Sequence, residues 1–312
     1  MQKLRIAYAG TPDFAVPALH SLIHSQHEVT AVITQPDRKS GRGRKITQSA
    51  VKIHASSENV HILQPEDINS SETIIALKAM NLDIMVVAAY GQIFTQELLQ
   101  LPNLGCVNIH ASLLPKWRGA SPIQHAILSG DEKSGVTIMQ MCQKMDAGDI
   151  WLQEPCDIEK YDTAQSLHDK LSAIGGDIIL NAIDAIAQGG RKPTPQDSHL
   201  ASYCSKLKKD QGQIQWDESA DIIERKVRAF FPWPGTYTFY NARRLRIVCV
   251  DKRVVKENSN EPGTVLDCNS EGILVATGKD AILIKELVPE GGKKICASDF
   301  ANSNQLVNEI FG

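Results

Sequence analysis

A chain of 312 residues, 42% hydrophobic and 22% charged, is too long for one compact core and reads as two ordinary soluble domains. No apolar run reaches the roughly 18–20 residues that span a bilayer, the N-terminus lacks the apolar region of a signal peptide, and seven cysteines without a CxxC pair or zinc-ligand spacing read as reduced cytosolic thiols, so neither a membrane segment, a disulfide scaffold nor a metal site is expected. The net charge of −3 excludes a polyelectrolyte trap for nucleic acid, but residues 1–205 hold 17 Lys+Arg against 21 Asp+Glu (net −4) and residues 206–312 hold 16 against 15 (net +1), so a nucleic-acid partner would be held by local patches.

In chain order, LRIAYAG (4–10) and EVTAVITQ (28–35) predict strands. DIMVVAAYG (83–91) is almost wholly apolar, as in a central parallel strand covered on both faces. GCVNIHASLL (105–114) and GVTIMQM (135–141) predict two more. SSETIIALKAM (70–80) and DTAQSLHDKLSAIGGDIILNAIDAIA (162–187) have helical periodicity, the second with Asp162 or Thr163 as N-cap. This alternation predicts an α/β fold, a Rossmann-like doubly wound, mostly parallel sheet. QGGRKPTPQDSH (188–199) breaks the pattern and reads as a linker. Beyond it SADIIERKVRAF (219–230) predicts one helix. RRLRIVCV, PGTVLDC, EGILVATG and DAILIKEL, within 243–287, predict short strands of a small OB-like β-barrel. The expected division is a catalytic domain over 1–189, a linker over 190–207 and an OB-like domain over 208–312.

The first turn, YAGTPDF (8–14), follows a strand but lacks GxGxxG, and Pro12 sits where that fingerprint would continue, so a dinucleotide site is not expected. The stretch NIHASLLPKWRG (108–119) carries more chemistry. Residues i and i+2 of a strand share a face about 6.6–7 Å apart, so Asn108 and His110 project into one space. Both can donate hydrogen bonds, and His110 can move a proton near neutral pH. Asp146 follows the next strand in CQKMDAGDI (142–150). Each of the three, taken alone, is as readily a turn residue, a satisfied polar side chain or a cap. Their expected position at the C-terminal ends of central strands is where a doubly wound sheet builds its sites.

Together, NIHASLLPKWRGASPIQ, VTIMQM and MDAGDI resemble the formyltransferases that use 10-formyltetrahydrofolate. The matching positions are Asn108, His110, the run Ser112, Leu113, Leu114 and Pro115, then Arg118, Gly119, Asp146, Gly148 and Asp149. TQPDRKSGRGRKI (34–46) resembles the basic loop of those members that formylate an aminoacylated RNA, and SYCSKLKKDQGQIQW (202–216) with FFPWPGTYT (231–239) resembles the start of their second domain. The resemblance spans nearly the whole chain. It implies 10-formyltetrahydrofolate as formyl donor, no metal, and initiator methionyl-tRNA as acceptor through its α-amine, in a cytoplasmic monomer. Two alternatives stay open: a sugar-amine N-formyltransferase of the same fold, and a non-catalytic RNA-binding relative.

The same resemblance implies roles. Asn108 and His110 would donate to the oxyanion of a tetrahedral intermediate, and Asp146 would hold His110, or a bridging water, in the right protonation state. The pterin would lie against Gln92, Ile93 and Phe94, the Ser112–Pro115 loop and residues 141–146. The RNA would meet Arg38, Lys39, Arg42, Arg44 and Lys45, five cations without an anion in residues 38–45, along with Lys206, Lys208 and Lys209. Arg225, Lys226 and Arg228 would extend that patch. Cys106 reads as a small core residue, since no base lies at evident spacing.

Overall fold

The structure is a computed structural model that describes residues 3–40, 45–189, 192–255 and 260–312, with positions 39, 40 and 45 described by their backbone alone. Two compact units result: residues 1–122, 133–157 and 168–204 form the first, and residues 123–132, 158–167 and 205–312 the second.

The first unit contains β1 (Arg5–Gly10), β2 (Glu28–Ile33), β3 (Arg38–Ser40), β4 (Lys45–Thr47), β5 (Ile62–Leu63), β6 (Ile84–Ala88), β7 (Cys106–His110), β8 (Arg118–Gly119), β9 (Lys133–Gln140), β10 (Ile150–Asp157) and β11 (Tyr203–Cys204). Seven of these make one sheet in the order β10-β9-β7-β6-β1-β2-β5. β1 pairs in parallel with β2 and β6, β2 with β5, and β6 with β7, while β9 and β10 run antiparallel at one side. All five residues of β6 are buried, as a strand covered on both faces requires. The expected mostly parallel, doubly wound sheet is therefore present. Outside it, β3 and β4 form a hairpin and β8 and β11 a short parallel ladder.

The helices α1 (Val16–Ile23), α2 (Ala50–Ser57), α3 (Ser71–Ala79) and α4 (Gln96–Leu99) connect these strands. Ser49, Ser70 and Thr95 cap α2, α3 and α4, each side-chain oxygen accepting from an amide three residues on. After α5 (Pro122–Ser129), α6 (Ala164–Gln188) starts in the second unit and continues in the first. Thr163 is its N-cap, as expected: its Oγ1 accepts from the Ser166 amide at 3.2 Å. By length and composition α6 is the one described helix apolar enough to cross a bilayer, with mean hydropathy 1.2 over its most apolar window, and half of that window is buried in the protein. A core helix passes the same test.

In the second unit α7 (Ala220–Ala229), capped by Ser219, precedes β12 (Thr236–Tyr240), β13 (Arg243–Arg253), β14 (Val265–Asn269), β15 (Gly272–Ala276), β16 (Ala281–Pro289), β17 (Ile295–Cys296) and α8 (Ala297–Asn302). The strands form an antiparallel sheet ordered β12-β13-β16-β15-β14, with β17 added to β16. Its core gathers Trp216, Ile223, Val227, Ile247, Ile273, Ile284 and Phe311. This is the small antiparallel unit expected after the linker.

The partition differs from the expected boundaries at 189 and 207. Residues up to 204 pack with the first unit, and two internal segments, 123–132 and 158–167, pack with the second. Thr194 and Ile150 exchange two backbone hydrogen bonds of 2.8 Å, and Tyr203–Cys204 pairs with Arg118–Gly119. A Gly-, Pro- and polar-rich composition signals the absence of regular structure, which is not the same as a free tether.

Candidate active site

β7 places Asn108 and His110 on one face, as the two-residue period requires. The Asn108 side chain is half-buried and makes no hydrogen bond with a described residue. His110 is buried, and its Nε2 lies 3.0 Å from the Trp117 carbonyl oxygen. A carbonyl only accepts, so Nε2 carries a proton. In the neutral ring Nδ1 is then an unprotonated acceptor, and it faces Asp146 Oδ2 at 3.7 Å. The second Asp146 contact is fixed more tightly: Oδ2 accepts from the Gly119 amide at 2.8 Å.

The local backbone makes this arrangement. Trp117 adopts a left-handed φ of 62°, which aims its carbonyl at His110, and its amide donates to Ser202 Oγ at 2.9 Å. Gly119 has φ 125°, and a Cβ there would collide with the Cys204 carbonyl oxygen. Glycine is what lets β8 and β11 approach while its amide reaches Asp146. The Cys204 thiol lies 3.3 Å from the Trp117 carbonyl oxygen, and burial pushes its pKa up, so it stays a thiol.

Asp146 reaches the site by a route the sequence did not suggest. β9 runs antiparallel to β7, with Gln140 opposite Val107 and Thr137 opposite His110. The loop after β9 therefore leaves from the end of β7 remote from His110, not from its C-terminal end as expected. It turns back, with Asp146 itself at φ 49° and the Gln140 amide donating to the Asp149 carbonyl at 2.8 Å. Gln196 holds the loop: its Nε2 donates to the carbonyls of Asp146 (2.9 Å) and Gly148 (2.6 Å). Its Oε1 accepts from Nε (3.0 Å) and Nη2 (2.7 Å) of the buried Arg118. Gln196, Ser202 and Cys204 all lie beyond residue 189 and escaped the sequence reading. Nothing in a Pro- and polar-rich stretch marks them, since their role exists only through contacts some 50–90 positions distant in the chain.

The Ser112–Pro115 loop is pinned from β9 and β10. Thr137 Oγ1 donates to the Ser112 carbonyl at 2.6 Å and accepts from the Leu114 amide at 3.1 Å. Gln153 Nε2 donates to the Leu114 carbonyl at 2.8 Å. Ser112 and Leu114 are buried, and Leu113 and Pro115 are partly open. Of the expected pterin neighbours, Ile93 is 75% exposed, whereas Phe94 is buried in the cluster that also holds Tyr90 and Cys106. The Gln92 amide is committed to the backbone of residues 66 and 68. Met141 packs against the Phe94 cluster, which joins the 141–146 loop to that wall. Cys106 is a buried core thiol whose pKa burial pushes up to about 12, in keeping with a structural role.

Among the basic residues, Arg42 and Arg44 lie outside the described residues. Lys39 and Lys45 pair neighbouring positions of the β3–β4 hairpin. Arg38 is exposed, 3.7 Å from Glu66. The root of the hairpin is fixed by Asp37, which accepts from Lys52 Nζ (2.7 Å) and Gln64 Nε2 (2.8 Å). Those bonds, the lysine's first, hold its carboxyl below the usual range. In the second unit Lys206, Lys208 and Lys209 are exposed. The extension of that patch along α7 needs correction. Lys226 is paired with Glu218 at 2.5 Å and Arg228 with Glu224 at 2.6 Å, so two of its three cations are already neutralised.

A Rossmann-like sheet whose third parallel neighbour ends in Asn-x-His, with an aspartate folded back onto the imidazole, defines an enzyme of formyl transfer. Residues 3–183 match the formyl transferase family and residues 206–305 the formyl transferase C-terminal domain. A solved structure of the N-formyltransferase of Helicobacter canadensis, in complex with folinic acid and dTDP-3-aminofucose, shares the fold (TM-score 0.65, 19% identity, 90% of this chain and 99% of that one). Closer in sequence is the methionyl-tRNA formyltransferase of Hydrogenovibrio crunogenus, 44% identical over 311 residues, covering 100% of this chain and 99% of that protein. The Coxiella burnetii enzyme of the same name is 45% identical over 304 residues, 96% of both chains. The chain belongs to the methionyl-tRNA formyltransferase family.

Proposed function

We propose that this chain moves the formyl group of 10-formyltetrahydrofolate to the α-amine of methionine on initiator tRNA. The observation that carries the mechanism is the His110 ring, anchored through Nε2–H on Trp117, with its Nδ1 beside Asp146 and the unpaired Asn108 amide on the same strand face.

The neutral amine attacks the formyl carbon; α-amines titrate near 7.7–8, so a useful fraction is neutral at cellular pH. A nitrogen–carbon bond forms, and the carbonyl electron pair moves onto oxygen. Asn108 donates to that oxyanion, a contribution of about 3–4 kcal/mol for one such donor. The proton leaving the attacking nitrogen passes to His110 Nδ1, and Asp146 stabilises the resulting imidazolium. The carbon–nitrogen bond to the folate then breaks, and the same proton is returned to the departing nitrogen. This refines the expected pair of oxyanion donors: with its Nε2–H spent on a main-chain carbonyl, His110 is better placed as the proton carrier, leaving Asn108 as the donor.

Ile93, the pinned Ser112–Pro115 loop and residues 141–146 would receive the pterin, an apolar slot edged by backbone groups suiting a flat heterocycle. The β3–β4 hairpin with Arg38, Lys39, Arg42, Arg44 and Lys45, and Lys206, Lys208 and Lys209 of the second unit, would hold the RNA through phosphate contacts. In this reading the antiparallel C-terminal unit is an OB-like RNA-holding domain and the protein works as a monomer in the cytoplasm, a compartment that suits seven cysteines outside disulfides.

The test offers radiolabelled 10-formyltetrahydrofolate together with charged methionyl-tRNA or with a nucleotide-linked amino sugar. Label transferred to the tRNA, and not to the sugar, supports the reading. Transfer to the sugar alone would overturn it.

A further inference from the structure

In the first unit, on elements that carry none of the residues assigned to catalysis, α1 and α2 bring together His20, His24 and Glu58. One donor atom from each lies within 4.8 Å of the other two. The spacing is i, i+4 on both helices: His20 and His24 at the end of α1, and His54 and Glu58 at the end of α2. Such spacing places both members of a pair on one helix face.

The tautomer of His24 is set by the backbone. Its Nδ1 lies 2.9 Å from the His20 carbonyl oxygen, which can only accept, so Nδ1 carries the proton. The lone pair of Nε2 in the neutral ring then faces Glu58 Oε2 at 3.8 Å. Both are donor atoms that one bound cation could bridge. A second ring nitrogen held on a backbone carbonyl is also the usual support of a metal-bound histidine. Beside them the His54 ring lies 5.4 Å from the His20 ring, tilted by 51°, and has a buried Nε2 with no hydrogen-bond partner among the described residues.

We propose that His20, His24 and Glu58 bind a late first-row divalent ion, Zn²⁺ foremost, which ties α1 to α2. Imidazole and carboxylate ligands suit that class. Donors about 2.0–2.2 Å from a tetrahedral ion stand roughly 3.3–3.5 Å apart, so the His24–Glu58 edge is near its bound length and His20 closes by side-chain rotation. The expectation of no metal rested on cysteine spacing and on the family resemblance to the catalytic site, and this set contains no cysteine and none of the residues assigned to catalysis. α2 follows β4 after two residues, so a tie between the helices would also steady the root of the basic hairpin.

The test titrates the chelator-stripped full-length chain with ZnCl₂ by calorimetry and follows thermal unfolding. One ion per chain and a raised Tm are expected. His24→Ala and Glu58→Gln, both at accessible positions, should each weaken binding at least about tenfold, no less than the loss of an outer-shell partner costs, and remove the Tm shift. A Cys142→Ser, Cys296→Ser double variant should keep both effects, and bound Co²⁺ should show no thiolate charge-transfer band. No saturable heat, unchanged affinity in the His24 and Glu58 variants, or loss of binding in the cysteine variant would each overturn the proposal.

Discussion

Asp146→Asn isolates the electrostatic part of the mechanism. The substitution keeps size and leaves an oxygen for the Gly119 amide, now 2.8 Å from Oδ2, so the turn should survive. What it removes is the charge facing His110. At an effective dielectric constant near 20, two unit charges 3.7 Å apart attract by about 4.5 kcal/mol. With the carboxylate side chain 15% exposed and the imidazole 6%, solvent screening is limited, and roughly 3–4 kcal/mol of that is available to an imidazolium forming in the transition state. The expected loss in kcat is therefore about 10²–10³-fold. Transfer of labelled formyl to methionyl-tRNA measures it, with KM for both substrates determined alongside and circular dichroism to confirm folding. A folded Asp146→Asn enzyme with kcat within a few-fold of the parent would refute the charge argument, and with it the role of His110 as proton carrier.

Gly119→Ala should destabilise the protein by at least about 2 kcal/mol, since φ 125° and the Cys204 carbonyl both oppose a Cβ; an unchanged denaturation midpoint would contradict the β8–β11 geometry. Cys106, with its pKa near 12, should be thiolate in only about one molecule in 10⁴ at pH 8, so a thiol reagent should modify the exposed Cys142 and Cys296 first, with rapid labelling of Cys106 or Cys204 in the folded protein as the adverse result. Because a raised thiol keeps its proton in the folded state after the unfolded chain has lost it, Cys106 supports stability fully below about pH 8.5 and loses that support as pH climbs toward 12, which urea titrations at pH 8 and 10 would show. Arg42→Ala should raise KM or lower kcat for methionyl-tRNA while leaving folate binding unchanged; equal losses in both would assign the basic loop to the donor site.

The layout of the site was legible where a local period carries the information. The apolar run of β6 announced a strand buried on both faces, and the two-residue step from Asn108 to His110 announced a shared face. Asp146 was legible only through the family resemblance, because no local rule tells that β9 runs antiparallel or that its loop folds back. The α7 cations were misjudged for a simpler reason. Glu224 and Arg228 stand at i, i+4 spacing, a pairing the sequence contains, and Glu218 reaches Lys226 from the preceding turn. The stretch 188–199 was read from composition as a linker. The contacts of Thr194, Gln196, Ser202 and Cys204 that tie this part of the chain to the first unit are long-range, and composition carries no signal for those.

That segment decides how the catalytic unit is bounded, and Gln196 tests it. Its carboxamide makes four hydrogen bonds, two given to the carbonyls of the Asp146 loop and two taken from Arg118. Gln196→Leu keeps the volume and removes all four. Neutral bonds contribute about 1 kcal/mol each and those to a charged partner about 1.5–3, so the local arrangement stands to lose several kcal/mol, with the guanidinium of Arg118 left buried. If residues 190–204 belong to the active site, kcat should fall at least tenfold as Asp146 loses its fixed position, with KM for tRNA little changed. Gln196→Glu separates the two halves of the contact: a carboxylate still accepts from Arg118 but cannot donate to the carbonyls of Asp146 and Gly148. If holding the loop is what matters, this variant should be as impaired in kcat as Gln196→Leu; recovery would shift the role to Arg118. A raised KM for tRNA with normal kcat in both variants would return the segment to the status of a linker.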